Sequence, residues 1–142
     1  MEPVMELTQV KKYYLMGDTV IRALDGITLS IQEGEFLSVV GQSGSGKSTL
    51  MNILGCLDLP DQGEFQLWGR RVDRCSEEEL ARIRNRTIGF VFQGFHLLPT
   101  LTAQENVELP LFYQGVPSPQ RRARARQALE RVELGQRLDH RP

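Results

Sequence analysis

Hydrophobic and polar positions alternate along the chain with two different periods, and the changes of period mark out its elements. Val4 to Tyr14 and Ile27 to Ile31 carry β-branched and aromatic residues in partial alternation and end near glycine, which predicts two early strands. Phe36-Leu-Ser-Val-Val40 is apolar on both faces, the pattern of a strand buried inside a parallel sheet, and it stops at Gly41. From Gly46 the period lengthens to that of a helix, with Leu50, Ile53 and Leu54 on one face. Strand, glycine-rich turn and helix therefore follow one another directly.

Further on, Gly63 to Trp68 reads as a strand, and Ser76 and Glu79 have the spacing of a capping box that opens a helix. Thr87 to Gln93 alternates as a strand again. Thr102 and Glu105 form a second capping box for a helix towards Phe112, which Pro110 should end or kink. Ser118 and Pro119 supply the N-cap and first-turn proline of a last helix running to Gly135, with Ala125, Ala128, Leu129 and Val132 as its apolar face. No repeat, low-complexity tract or flexible linker interrupts the chain, so one continuous α/β domain is expected.

The 142 residues, 40% hydrophobic and 25% charged, have the size and composition of one globular domain and exclude compositional disorder. A net charge of −1 argues against binding a polyanion. The run Arg121-Arg-Ala-Arg-Ala-Arg126 lies on an amphipathic helix and reads as a solvated face, so no nucleic-acid partner is expected. Cys56 and Cys75 match no metal-ligand spacing and read as small buried or half-buried hydrophobes; with no leader segment before them, a reducing cytoplasm is expected. No apolar run approaches the roughly 20 residues of a membrane span, so membrane association is expected to come through a partner. His96 has no nucleophile or carboxylate beside it and reads as surface.

The chemistry concentrates at Gly41-Gln-Ser-Gly-Ser-Gly-Lys-Ser48, which fits G-x-x-x-x-G-K-[ST] between a buried strand and a helix. Gly41, Gly44 and Gly46 let the backbone bend round a phosphate and direct successive N–H groups at it, and the helix N-terminus adds its partial positive charge. Lys47 is placed to bring an ammonium to the β- and γ-phosphates, Ser48 to ligate Mg²⁺ through its hydroxyl, and Thr49 to hold the α-phosphate side. The dinucleotide fingerprint is excluded, because Thr49 stands where its third glycine would be.

The residues around this turn narrow the choice. Gly41 to Leu50, Asn52-Ile-Leu-Gly-Cys-Leu-Asp58, Ile88-Gly-Phe-Val-Phe-Gln93 and Leu101-Thr-Ala-Gln-Glu-Asn-Val-Glu-Leu-Pro110 resemble the ATP-binding domains of ABC transporters, most closely the lipoprotein-releasing and macrolide-exporting subfamily. The resemblance implies a P-loop NTPase fold of the ABC ATPase type, with an antiparallel β subdomain and the start of a helical one. It implies ATP and Mg²⁺ as ligands, a nucleotide site built from Tyr14, Gly41, Ser43, Gly44, Ser45, Gly46, Lys47, Ser48 and Thr49, and catalytic roles for Lys47 and Gln93. Tyr14 corresponds to the aromatic residue that stacks on adenine, with Tyr13 as a competitor; Gln93 corresponds to the glutamine that joins Ser48 at Mg²⁺ and reaches the γ-phosphate. The partners implied are a membrane permease subunit and a second copy of the ATPase subunit, at the cytoplasmic side of the inner membrane. In this family the region of the apolar loop Phe95-His-Leu-Leu-Pro-Thr-Leu101 receives a helix of the membrane subunit; packing inside the domain is the competing reading.

The same resemblance draws attention to what the 142 residues do not contain. There is no second apolar strand ending Asp-Glu, no Leu-Ser-Gly-Gly-Gln signature and no switch histidine, and His140-Arg-Pro142 resembles the tripeptide before that signature. Asp58 superficially imitates the missing aspartate, but it follows the helix after the phosphate turn and reads as a turn residue ahead of Pro60. Residues 1–142 are thus expected to be an ABC ATPase domain incomplete at its C-terminus, binding nucleotide at best. Losing the base alone lowers hydrolysis by about 10²–10⁴, and the isolated polypeptide is expected to be inactive and molten or aggregated. The intact protein is expected to couple ATP hydrolysis to export or lipoprotein release. The rivals are an ATPase that signals through a membrane partner in cell division, a soluble tandem-domain ATPase, and a nucleotide kinase.

Overall fold

The computed structural model describes residues 3–142, which divide into two compact units, the first ending at Ile88 and the second beginning at Gly89. In the first unit, β1 (Met5–Met16) and β2 (Thr19–Ile31) form a long antiparallel hairpin. On the other side of β1, β3 (Gln62–Leu67) pairs antiparallel, and the short β4 (Arg70–Arg71) closes the order β2-β1-β3-β4. Leu7 and Val10 on β1 are both fully buried despite their odd spacing. The register shifts between them, where Gln9 takes a φ of 49°, and the shift resets the alternation.

One face of the sheet is covered by the helix α1 (Lys47–Leu54), which buries Leu50, Ile53 and Leu54 in a core shared with Leu7, Val10, Leu24, Phe65 and Leu67. Each such side chain contributes about 1.5–3 kcal/mol on burial, so this face alone holds the helix in place. α2 (Glu77–Arg86) starts at the expected capping box: the Glu79 N–H donates to Ser76 Oγ, and the Ser76 N–H donates back to Glu79 at 2.9 Å. Its Leu80 joins the core, and the Arg84 guanidinium donates to the Cys56 carbonyl at 2.7 Å beyond the end of α1. Cys56 is buried and Cys75 half-buried, as their isolation predicted.

The second unit is a helical hairpin of α3 (Ala103–Tyr113) and α4 (Ser118–Arg131), followed by a single 3-10 turn at Gly135–Arg137. Thr102 and Glu105 form the predicted capping box. Asn106 clamps the preceding loop: its side-chain oxygen accepts from the Leu98 N–H at 2.8 Å, and its amide donates to the carbonyls of Leu98, Leu101 and Thr102. Backbone N–H groups of Ala103 and Gln104 donate to His140 and Leu138, so residues 138–140 cover the start of α3. The arginine run is solvated at Arg122, Arg124 and Arg126. Arg121 turns inward instead, pairing with Glu108 at 3.5 Å and donating to the Val116 carbonyl at 3.0 Å.

Several expectations are corrected. Phe36 to Val40 is not a strand: the sheet is wholly antiparallel among the described residues, and Phe36 and Val40 are 94% and 87% exposed. Thr87 to Gln93 is likewise unpaired, with Val91 96% exposed. Both segments have strand-like patterns, apolar on both faces in the first and alternating in the second, but a strand forms only against a backbone partner, and a parallel one needs a partner brought from far along the chain. Pro110 does not end α3, which continues to Tyr113; proline withdraws only its own N–H, and the Gln114 N–H still closes the last turn on the Pro110 carbonyl. Ser118 is the first helical residue of α4 rather than its cap, a position taken by Pro117. That helix ends at Arg131 instead of reaching Gly135, and of its expected apolar face only Ala125 and Leu129 are buried; Ala128 and Val132 are exposed.

Replacing Asn106 by Ala removes the acceptor of the Leu98 N–H and two amide N–H groups shared among three carbonyls, and each full bond is worth about 0.5–1.5 kcal/mol. Asn106→Ala is expected to raise hydrogen exchange at the Leu98 amide by at least about tenfold while leaving amides in β1 unchanged; unchanged exchange at Leu98 would show that the loop is held elsewhere.

Candidate functional site

The glycine-rich turn leads directly into α1, and its shape is set from beneath by β2. Gly46 caps the helix with a φ of 91°, and a Cβ there would collide with the Ala23 carbonyl. Ala23 is the unmatched residue of a bulge, lying between the pairs Lys12↔Leu24 and Tyr13↔Arg22. The bulge therefore turns strand backbone towards the start of the helix, and only glycine allows so close an approach. No side chain caps this helix and no acidic residue sits in its first turn, so its first N–H groups and its positive end are left for an anion.

Lys47 is folded across the turn. Its ammonium donates to the carbonyls of Gly41 at 2.8 Å and Gln42 at 2.5 Å, and approaches Ser45 Oγ at 3.4 Å. These neutral acceptors hold a full positive charge at the mouth of the turn, where a charged phosphate oxygen makes a bond roughly twice as strong as a carbonyl does. Ser43, Gly44, Ser45 and Ser48 are exposed around it and Thr49 is half-buried. The turn and the first residues of α1 carry Gly41, Ser43, Gly44, Ser45, Gly46, Lys47, Ser48 and Thr49 in succession.

Tyr13 and Tyr14 point to opposite sides of β1. The Tyr13 hydroxyl donates to Asp25 at 2.6 Å, with Arg22 over its ring. Tyr14 lies on the same side as the buried Val10 and the half-buried Lys12, and its hydroxyl donates to Asp58 at 3.2 Å. Lys12 donates to the same carboxylate and to the Leu59 carbonyl, both at 2.8 Å, and lies 5.7 Å over the Tyr14 ring. Partial burial pushes the Asp58 carboxyl up, but the Lys12 ammonium, the Leu59 N–H and the Tyr14 hydroxyl outweigh it and hold the carboxyl below its ordinary 3.8. Burial pulls the Lys12 ammonium down, and Asp58 with Asp61 more than restores it, to above 10.5.

Gln93 lies in the second unit, in an exposed bend after the stacked rings of Phe90 and Phe92, whose centroids are 4.5 Å apart. His96 is exposed, as expected, and packs its ring on Phe92. Phe95 is 99% exposed, and Leu97 and Leu98 are also open to solvent. The first unit contains both Tyr14 and the glycine-rich turn, while Gln93 belongs to the other. Sequence reasoning read Asp58 only as a turn residue and gave Lys12 no role. Their one sequence signal is the even spacing of Val10, Lys12 and Tyr14, which puts a lysine on a core-facing side of a strand.

The ABC transporter family pattern matches residues 24–142, most of the chain. The chain belongs to the ABC transporter family. It is 53% identical over 142 residues to an uncharacterized ABC transporter ATP-binding protein of Thermotoga maritima, covering all of this chain and 61% of that protein. It is 53% identical over 140 residues to the macrolide export ATP-binding/permease protein MacB of Brucella abortus, covering 99% of this chain and 22% of that protein. A dimeric structure of the ATP-binding cassette MJ0796, in a post-hydrolysis state bound to ADP and Pi, superposes with a TM-score of 0.90 at 46% identity, over 97% of this chain and 61% of that one. The chain thus spans under two thirds of the length of these relatives. Its fold is that of the N-terminal part of the ABC ATPase cassette, mixed α/β with an antiparallel sheet. No helix among the described residues is long and apolar enough to cross a membrane.

The ion pair beneath Tyr14 makes stability in this ABC protein depend on pH in a defined direction. Asp58 has its folded value below 3.8, so its contribution is complete above that pH and is lost as the pH falls through the lower folded value. Lys12, raised above 10.5, contributes fully below that pH and loses its contribution as the pH rises through the higher value. The difference in melting temperature between the full-length protein and Asp58→Asn is expected to be constant from about pH 5 to 9 and to shrink below about pH 4. A difference that grows on acidification would contradict this.

Proposed function

We propose that this chain forms the ATP-binding part of an ABC transporter that exports a substrate from the cell. The observation that carries this reading is the Lys47 ammonium held over a turn whose glycine backbone is pressed against the bulge of β2. On this reading Lys47 binds the β- and γ-phosphates, the N–H groups from Gly44 to Thr49 wrap the phosphate chain, and Tyr14 stacks on the base. Tyr14 is favoured over Tyr13 because it shares the face of β1 that α1 covers, whereas Tyr13 is held by Asp25 on the other.

The Ser48 hydroxyl suits Mg²⁺, an ion that keeps several waters and arrives with the substrate's phosphates rather than demanding an all-protein cage. Gln93 keeps the role that the family resemblance gives it, towards Mg²⁺ and the γ-phosphate, and the exposed apolar loop that follows it is the segment offered to a membrane partner. When bound, Mg²⁺ neutralises charge on the transferred phosphoryl group. What this chain supplies is positioning: the turn fixes the phosphates, and Tyr14 fixes the base. Export and work with a permease are supported by relatives named as macrolide and pyoverdine export ATP-binding/permease proteins, and a paired second cassette by the dimeric cassette structure; the cytoplasmic face of the membrane is part of the same proposal.

The test is Lys47→Ala in the full-length protein, with MgATP affinity measured by calorimetry. Loss of charge-assisted bonds worth about 1.5–3 kcal/mol predicts binding weaker by about 10- to 100-fold. ATP binding as tight as in the parent would refute the proposal.

A further inference from the structure

Besides the turn itself, the structure contains a network that no part of the phosphate chemistry requires. It ties the strand carrying Tyr14 to the segment that follows α1. Asp58 accepts from Lys12 at 2.8 Å and from the Tyr14 hydroxyl at 3.2 Å, and its other close partner is the N–H of Leu59 at 2.8 Å. Lys12 also reaches the Leu59 carbonyl at 2.8 Å and Asp61 at 3.5 Å, while Asp61 accepts the Tyr13 N–H at 2.7 Å. Only 12% of the Lys12 side chain is exposed, so its ammonium is not a freely moving surface charge.

We propose that Lys12 and Asp58 are positioning residues for nucleotide recognition: they fix the Tyr14 ring as the platform on which the nucleobase stacks. This rests on the reading of Tyr14 given above. Three features of the geometry carry it. The hydroxyl at the far end of the ring is tied to Asp58, which restricts the swing of the ring about its side-chain bonds. The Lys12 ammonium stands 5.7 Å from the ring centroid, and Tyr14 is still 39% exposed, which leaves part of its surface accessible to a base.

The third feature is the distance to the phosphate turn. Tyr14 pairs with Ile21, two residues along β2 from Ala23, the residue against which Gly46 is seated. Two residues along a strand and one strand across put the Cα of Tyr14 about 8 Å from the Cα of Ala23, so the strand position that carries the ring and the seat of the turn lie within the length of one nucleotide. Because the segment carrying Asp58 leaves α1 within a few residues, the same helix sets both ends of the site: its N-terminus presents the phosphate turn, and the chain beyond its C-terminus braces the base platform. A ring fixed before the nucleotide arrives loses less freedom on stacking, and that is how a group that never touches the ligand raises affinity.

The experiment compares two ligands in the full-length protein, MgATP and magnesium tripolyphosphate, the second having phosphates but no base. Lys12→Met and Asp58→Asn are each expected to weaken ATP binding by roughly 3- to 10-fold and to leave tripolyphosphate binding unchanged. Tyr14→Phe, which keeps the ring and loses only the bond to Asp58, should behave in the same way, and Lys12→Arg should restore parental ATP affinity. Equal losses on both ligands would show general damage to the fold and overturn the proposal. So would parental ATP affinity in Lys12→Met and Asp58→Asn while Tyr14→Ala weakens ATP alone. If Tyr14→Ala itself changes neither ligand, the stacking assignment fails together with the brace. If the parent binds neither ligand, the phosphate-binding reading is the one that falls.

Discussion

The contact of Gly46 with the Ala23 carbonyl is the constraint on which the site depends. It exists because β2 carries a bulge at Ala23 and because the helix that follows the turn begins with a residue lacking a Cβ. From that seat α1 runs away over the sheet and buries Leu50, Ile53 and Leu54. The burial fixes the direction of the helix, and the seat fixes where its uncapped positive end is presented. Hydrophobic packing and the presentation of the uncapped helix end are thus two consequences of one placement, and neither can shift without the other.

Electrostatics then complete what packing begins. Lys47 lies over the carbonyls of its own turn, a set of acceptors that holds the charge in place but does not neutralise it. Lys12, by contrast, is matched by a carboxylate and serves to tie a strand to a loop. Two lysines within one small unit therefore do opposite things, and the difference lies in what each faces: backbone dipoles in one case, a formal negative charge in the other.

Local chemistry was legible in the sequence wherever the signal and its cause lie within a few residues. The capping boxes at Ser76 and Thr102, the helix after Gly46 with its three buried residues, and the strand ending near Trp68 all belong to this class. Segments whose conformation depends on distant backbone were misjudged. Phe36 to Val40 and Thr87 to Gln93 announce an apolar surface, but an apolar pattern states a need for cover and not the presence of a partner. Of the two outcomes expected at Pro110, an end or a kink, the end does not occur, since α3 continues to Tyr113. Within the site, the turn could be recognised as a motif. The bulge at Ala23 and the pairing of Lys12 with Asp58 could not, since they arise only when β1, β2 and the segment after α1 are folded together.

The central claim is that the backbone from Gly41 to Thr49 closes round the terminal phosphates of a nucleotide. Amide hydrogen exchange on the full-length protein, with and without MgATP, addresses it residue by residue. The account predicts that the amides of Gly44 to Thr49 become protected by at least about tenfold on adding MgATP, with those of α4 unchanged. Exchange at Gly44 to Thr49 that is the same with and without the nucleotide would contradict it.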